Sequence, residues 1–134
     1  MFGDKVLVGY SSTNIDEKNR LRLPKFTCAD AGDKLVVVPD GDRLLIYSNV
    51  ILEEYVDKID EIQDIKMRKE LLAEFRTFCE GVLVETTVDK NNRINLSDNL
   101  HFNDKNVELL GAGDRVILYG DFSYPELYRK RGKN

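Results

Sequence analysis

The fold is decided by the segment TNIDEKNRLRLP at positions 13–24, which recurs at positions 86–97 as TTVDKNNRINLS. A second pair follows in the same order, because GDRLLIY at positions 41–47 matches GDRVILY at positions 113–119. The first pair is 73 positions apart and the second pair 72, so one residue is lost between the two blocks. Two segments that recur in the same order indicate that the chain contains two copies of one structural unit.

Each copy is predicted to form strands joined by short turns. In the first copy, leucines at positions 21 and 23 alternate with Arg20 and Arg22, a period of two that places the leucines on a buried face and the arginines on an exposed one. The apolar run Leu35–Val38 is typical of a strand that is covered on both sides. Turns are expected at positions 39–42 and 111–114. Since a unit of about 45 residues scarcely supports its own core, the two copies are expected to share one pseudo-symmetric barrel.

Between the copies, apolar residues recur with helical spacing and predict a pair of helices. Ser48 or Asn49 is expected to cap the first helix, and the second is expected to begin near Asp64 and to end at Gly81. The predicted division is a first copy at 5–51, a helical insert at 52–80, a second copy at 81–124, and a short helix with a basic tail at 125–134. The predicted apolar stripes are Leu52, Tyr55, Val56, Ile59 and Ile62 in the first helix, and Leu71, Leu72, Phe75, Phe78 and Cys79 in the second.

The charge is unevenly distributed along the chain. The 134 residues carry a net charge of −4, which excludes a uniformly basic nucleic-acid binder but not a local basic patch. Residues 48–85 hold ten acidic and five basic residues, whereas residues 1–47 are neutral and residues 86–134 carry a net charge of +1. The acidity therefore belongs to the helical insert.

Several classes of protein are excluded by residues that the sequence lacks. No apolar run approaches the roughly 18–20 residues that cross a bilayer, and the N-terminus does not read as a signal peptide. One histidine and two cysteines, Cys28 and Cys79, predict neither a disulfide framework nor a zinc site, and both cysteines are expected to be small buried residues. The common nucleophile, phosphate-loop and zinc-protease motifs are absent, so we expect a cytoplasmic protein that is not an enzyme and uses no metal or cofactor.

Basic residues cluster at the repeated turn. They are Lys18, Arg20, Arg22 and Lys25 in the first copy, and Lys90 and Arg93 in the second. Exposed arginines on a hairpin are suited to contact phosphates or base edges. The alternative is a solvated strand face whose charge is balanced by neighbouring carboxylates, and the pattern alone leaves both interpretations open.

The doubled Asp-x-x-x-Arg pattern, Asp16 to Arg20 and Asp89 to Arg93, resembles the MraZ family of bacterial transcriptional regulators, which are built from two SpoVT/AbrB-type units. The similarity runs from about residue 5 to residue 128 and includes the helical insert. The chain departs from the family where Asn19 and Asn92 replace the usual glycine and where Ser97 replaces a proline. Since asparagine tolerates the left-handed region, the tight turn is expected to survive.

The resemblance implies an α+β fold, a swapped-hairpin (double-split) β-barrel made of two tandem repeats with the helical pair inserted between them. It also implies assembly into a homo-oligomeric ring, association with the nucleoid, and binding to direct repeats of double-stranded DNA in the promoter of the division and cell-wall gene cluster. Carried over to this chain, it assigns DNA contact to the segments that contain Asp16, Arg20, Asp89 and Arg93. Each Asp could orient its Arg or simply form a structural ion pair. The alternative function is an antitoxin-like partner-binding module without operator-specific regulation.

Overall fold

The computed structural model describes residues 1–131, with side chains described as far as residue 128. It has an α+β arrangement in which a pair of helices lies between two groups of strands and a short helix follows the second group. The elements of the first copy and of the insert are β1 (Leu7–Asn14), β2 (Arg20–Arg22), β3 (Lys34–Asp40), β4 (Arg43–Ser48), α1 (Asn49–Asp60) and α2 (Ile65–Glu80). Those that follow are β5 (Val84–Thr87), β6 (Arg93–Asn95), β7 (His101–Phe102), β8 (Asn106–Gly113), β9 (Arg115–Tyr119), β10 (Phe122–Ser123) and α3 (Glu126–Arg131). The end of the predicted basic tail, residues 132–134, lies outside the described residues.

The two copies exchange strands within one antiparallel sheet. Six strands pair in the order β1-β8-β9-β4-β3-β5. Strand β1 of the first copy pairs with β8 of the second, and β5 of the second copy pairs with β3 of the first. Strands β4 and β9 lie side by side at the centre. Neither copy therefore completes its sheet without strands from the other.

The predicted closed barrel is not found in the described residues. Strands β1 and β5 lie at the two ends of the sheet, so the sheet stays open. The short strands β2 and β6 pair only with each other and form a separate two-stranded ribbon, which we call the β2–β6 ribbon. Their buried residues, Leu21 and Ile94, join the main apolar core against the sheet. The three-residue strands thus cover the sheet instead of extending it.

The sheet separates the β2–β6 ribbon from the helices. Along β4, Leu44 and Ile46 belong to the core on the ribbon side, and Leu45 and Tyr47 belong to a second apolar cluster on the other face. The helical residues Ile51, Leu52 and Phe78 pack against that second cluster. The prediction that Leu35–Val38 is covered on both sides is confirmed, because all four side chains are buried.

The insert forms the two predicted helices. Ser48 caps α1 through its hydroxyl oxygen, which accepts a hydrogen bond from the Val50 N–H at 3.2 Å. Asp64 caps α2 by accepting the Met67 N–H at 3.1 Å, and α2 ends before Gly81. The predicted cap of α1 and the predicted start of α2 are confirmed, and in both helices a short polar side chain supplies an acceptor for the free N–H groups of the first turn.

Two local predictions were wrong. Cys28 and Cys79 are exposed, not buried. Cys28 follows a 3₁₀ turn and has a left-handed backbone with φ of 56°, while Cys79 lies just beside the half-buried stripe of α2 that contains Phe75 and Phe78. Both predicted turns are also shorter than expected, because β3 continues through Asp40 and β8 continues through Gly113 to pair with β1.

Candidate nucleic-acid interface

The two repeated turns have the same internal geometry. In the first, Asp16 Oδ1 accepts the backbone N–H groups of Lys18 at 2.9 Å and of Arg20 at 2.8 Å, and Oδ2 accepts the Arg20 Nε–H at 2.7 Å. In the second, Asp89 Oδ1 accepts the N–H groups of Asn91 at 2.8 Å and of Arg93 at 2.9 Å. Its Oδ2 accepts the Nε–H of Arg93 at 3.2 Å. Each Asp therefore closes its turn and holds the guanidinium of its Arg.

The asparagines in these turns adopt the conformation that the glycine positions of the motif require. Asn19 has a φ of 56° and Asn92 a φ of 58°, both in the left-handed region. This confirms the prediction that asparagine preserves the tight turn. Asn19 also donates its side-chain amide to the carbonyl oxygens of Ser97 at 3.2 Å and Leu100 at 2.9 Å, which ties the first turn to the second copy.

The β2–β6 ribbon brings arginines from both copies onto one face. Arg20 lies opposite Asn95, Leu21 opposite Ile94, and Arg22 opposite Arg93. Leu21 and Ile94 are buried, so their neighbours along each strand point to the other face. Side chains directly opposite each other in an antiparallel pair have Cβ atoms about 5 Å apart. Three guanidinium groups thus share a small surface.

The guanidinium groups of the repeated motif are partly accessible. The exposed fraction of the side chain is 27% for Arg20 and 25% for Arg93, while Arg22 is exposed. Lys18 and Lys90 are exposed on the two turns. These five basic residues are therefore on the β2–β6 ribbon or on the turns next to it. The acidic helices pack on the opposite face of the sheet.

The pKa values of Asp16 and Asp89 are both lowered from their ordinary value. Desolvation acts to raise the pKa of Asp16, but the N–H and guanidinium of Arg20 together with the N–H of Lys18 outweigh it. The N–H of Arg93 is the main cause at Asp89, where desolvation opposes it and the Asn91 N–H and the Arg93 charge reinforce it. Both carboxylates therefore stay ionised at neutral and mildly acidic pH.

The lowered pKa values predict a pH dependence of stability. Since each folded-state pKa lies below the unfolded value of about 3.9, the ionised carboxylates stabilise the fold fully above that value and lose this contribution as pH falls through the lowered pKa. Asp16→Asn with Asp89→Asn is therefore expected to lower the free energy of unfolding by a nearly constant amount near neutral pH. The difference from the original protein should shrink below about pH 4.

Urea unfolding at a series of pH values measures this difference. Asp42→Asn with Asp98→Asn is the matched control, since these exposed carboxylates make no hydrogen bond within the described residues. The control is expected to show little difference at any pH. If the free energy of unfolding of the Asp16 and Asp89 variant fell short of the original protein's by a constant or growing amount on acidification, the lowered pKa values of these two carboxylates would be contradicted.

The sequence reasoning overlooked Asn95, which is exposed on the β2–β6 ribbon directly opposite Arg20. The repeat itself contained the signal, because the offset of 73 positions aligns Asn95 with Arg22. The same alignment pairs Lys18 with Asn91, and not with Lys90. The hydrogen bonds agree with this alignment, because the backbone N–H of Lys18 donates to Asp16 as that of Asn91 donates to Asp89.

Neither a candidate metal site nor a membrane-spanning helix is found in the described residues. Within residues 1–131, no group of three or more His, Cys, Asp and Glu side chains is placed to hold a metal ion. None of the helices in that range has the length and apolar character needed to span a membrane.

Comparison with known proteins relates the chain to a transcriptional regulator. The chain is 28% identical over 118 residues to the transcriptional regulator MraZ of Thermoanaerobacter pseudethanolicus (strain ATCC 33223 / 39E). That alignment covers 85% of this chain and 80% of the relative. No protein-family model matches the chain, and the SpoVT/AbrB-type units stay a prediction. The similarity therefore supports an MraZ-like protein.

Proposed function

We propose that this protein is a sequence-specific DNA-binding transcriptional regulator. It acts as a homo-oligomeric ring on direct repeats in the promoter of the division and cell-wall gene cluster, at the nucleoid in the cytoplasm. The observation that carries the proposal is the β2–β6 ribbon, which presents Arg20, Arg22 and Arg93 on one face, opposite the acidic helices. The similarity to a transcriptional regulator supports the same function.

The β2–β6 ribbon has the shape and the groups for direct reading of DNA. A two-stranded β-ribbon fits the major groove of B-DNA, where an arginine can donate two hydrogen bonds to guanine O6 and N7. Arg20 and Arg93 are bonded to their aspartates through Nε, which leaves Nη1 and Nη2 for a base or a phosphate. Asp16 and Asp89 act as positioning residues, because their oxygens are already occupied within the turns. Lys18 and Lys90 contact phosphates beside the groove.

The bare half of the sheet supports self-association. On the face that carries the helices, the apolar cluster beneath them comes from β3, β4 and β9, and large apolar side chains on β8, on β1 and just before β1 are exposed to water. The exposed fraction is 74% for Val6, 72% for Val8, 62% for Tyr10 and 39% for Leu110. Scattered exposed apolar residues are ordinary, but a contiguous patch marks an interaction surface. We call these four residues the bare sheet patch.

The helical pair offers a second apolar surface for the neighbouring subunit. None of the residues of α2 is buried, although Phe75 and Phe78 lie on its apolar stripe. A groove of about 380 Å³ runs between the helices and the sheet and includes Tyr47, Tyr55 and Phe75. Contact between two different surfaces of the same chain is heterologous, and it generates a ring when the rotation closes. The bare sheet patch of one subunit in the groove of the next is such a contact. We also propose that the strands exchanged between the two copies, β1 paired with β8 and β5 paired with β3, form a swapped-hairpin architecture.

An oligomer also explains how a net-acidic chain binds DNA. One subunit presents few cations, so its affinity for one site is low. A ring presents the same ribbon to successive repeats, and each bound ribbon raises the effective concentration of the next. The affinity is therefore expected to fall steeply with salt and to require more than one repeat.

Selection of bound fragments from the host genome at a fixed salt concentration tests the proposed function. Enrichment of one promoter that contains spaced direct repeats is the expected result. Equal recovery of all fragments would contradict operator-specific regulation and favour the partner-binding alternative. Equal affinity for one repeat and for several would contradict the oligomeric mode of binding.

A further inference from the structure

The β2–β6 ribbon has an internal two-fold pseudo-symmetry. The repeat offset relates Arg20 to Arg93 and Leu21 to Ile94, and the register places Leu21 directly opposite Ile94. The pseudo-two-fold axis therefore passes between these two buried residues. A fully symmetric ribbon would present the same groups at both ends and would match an inverted repeat, since two-fold protein symmetry is mirrored in palindromic DNA.

One pair of positions breaks this symmetry. The repeat relates Arg22 to Asn95, and both side chains are exposed. One end of the ribbon therefore presents Arg20 beside Asn95, whereas the other presents Arg93 beside Arg22. The Asn95 side chain makes no hydrogen bond within the described residues, so its amide is available to a ligand.

The fold gives little reason for an asparagine at this position. Asparagine is depleted in β-strands, and strand β6 has three residues, of which only Ile94 is buried. An asparagine there removes the like-charge repulsion that an arginine opposite Arg20 would add, but alanine or threonine would do the same. What the amide adds is a donor and an acceptor side by side.

We propose that Asn95 is a specificity-determining residue that reads adenine, so that the two ends of the ribbon read different bases. An asparagine amide can form two hydrogen bonds with adenine N6 and N7 in the major groove, whereas arginine selects guanine. The end with Arg93 and Arg22 then favours guanines, and the end with Arg20 and Asn95 favours a guanine and an adenine. An asymmetric site of this kind is suited to direct repeats. The inference rests on the proposed function.

Selection from a randomised DNA duplex library, at one salt concentration, tests this assignment with the full-length protein. The original protein is expected to enrich an asymmetric site with adenine at one position. Asn95→Ala should lower the preference for adenine at that position by about tenfold and leave the other positions unchanged. Asn95→Arg places at this position the residue that the first copy has at the equivalent position, Arg22. It should convert the preference from adenine to guanine, so that the selected site becomes more nearly an inverted repeat.

Gln63→Ala removes an exposed amide between the two helices and serves as the matched control, with no expected change in the selected site. If the original protein enriches no sequence at all, the proposed function itself fails. If it enriches a defined site that Asn95→Ala and Asn95→Arg leave unchanged, the role of Asn95 is overturned while the proposed function stands.

Discussion

Replacing both Arg20 and Arg93 with alanine is expected to abolish operator binding while the protein keeps its fold. Each arginine that pairs with a guanine contributes roughly 1–3 kcal/mol, so the loss of two contacts lowers the affinity of one ribbon by at least about 30-fold. The loss of affinity is larger in an oligomer, because every subunit carries both substitutions. Folding is expected to survive because both side chains lie on the outer face of the ribbon, whose inner face is formed by Leu21 and Ile94.

A gel-shift titration with a DNA fragment of several repeats measures the effect. Arg43→Ala with Arg76→Ala is the matched control, because it removes the same charge from positions away from the ribbon. This control is expected to bind with nearly the affinity of the original protein. Unchanged binding by the Arg20 and Arg93 variant, with an unchanged circular dichroism spectrum, would refute the ribbon as the DNA-reading surface.

Short-range patterns in the sequence predicted the parts of the site that depend on local geometry. The Asp-x-x-x-Arg spacing is a turn in which one carboxylate reaches two backbone N–H groups and the Nε of the Arg, and such contacts need no other part of the fold. The alternation of Arg20 and Arg22 with buried leucines likewise placed the arginines on an exposed face. The cap at Ser48 and the start of α2 near Asp64 were predicted for the same reason.

The parts that depend on pairing between distant segments could not be predicted in this way. The position of Asn95 opposite Arg20 follows from the pairing of β2 with β6, which the alternation within either strand does not specify. The open sheet follows from the same pairing, since β2 and β6 bind each other and leave β1 and β5 at the ends. The exposure of Val8 and Tyr10 depends on which strands the helices cover, and the periodicity of β1 carries no information about that.

Val8→Asp is expected to convert the proposed oligomer into a monomer of 15.4 kDa. Val8 lies within the bare sheet patch, opposite Ala112 of the neighbouring strand, and the residue is 72% exposed in the single chain. The substitution therefore costs the monomer about 1 kcal/mol or less. In the proposed oligomer the same carboxylate would lose its hydration at a mainly apolar contact, and the loss of hydration of a buried charge costs several kcal/mol at every interface of the ring.

Light scattering measures the mass in solution. A gel shift with one repeat and with several repeats measures the effect on DNA-binding affinity. The variant is expected to bind a multiple-repeat fragment no better than a single repeat, because the gain from effective concentration is lost. Leu127→Asp is the matched control, since it places the same charge on an exposed leucine of α3 outside the patch. An original protein that is already monomeric, or a Val8→Asp variant that keeps the oligomeric mass, would show that the bare sheet patch is not the subunit interface. Loss of the oligomer together with the preference for several repeats would connect this patch directly to DNA affinity.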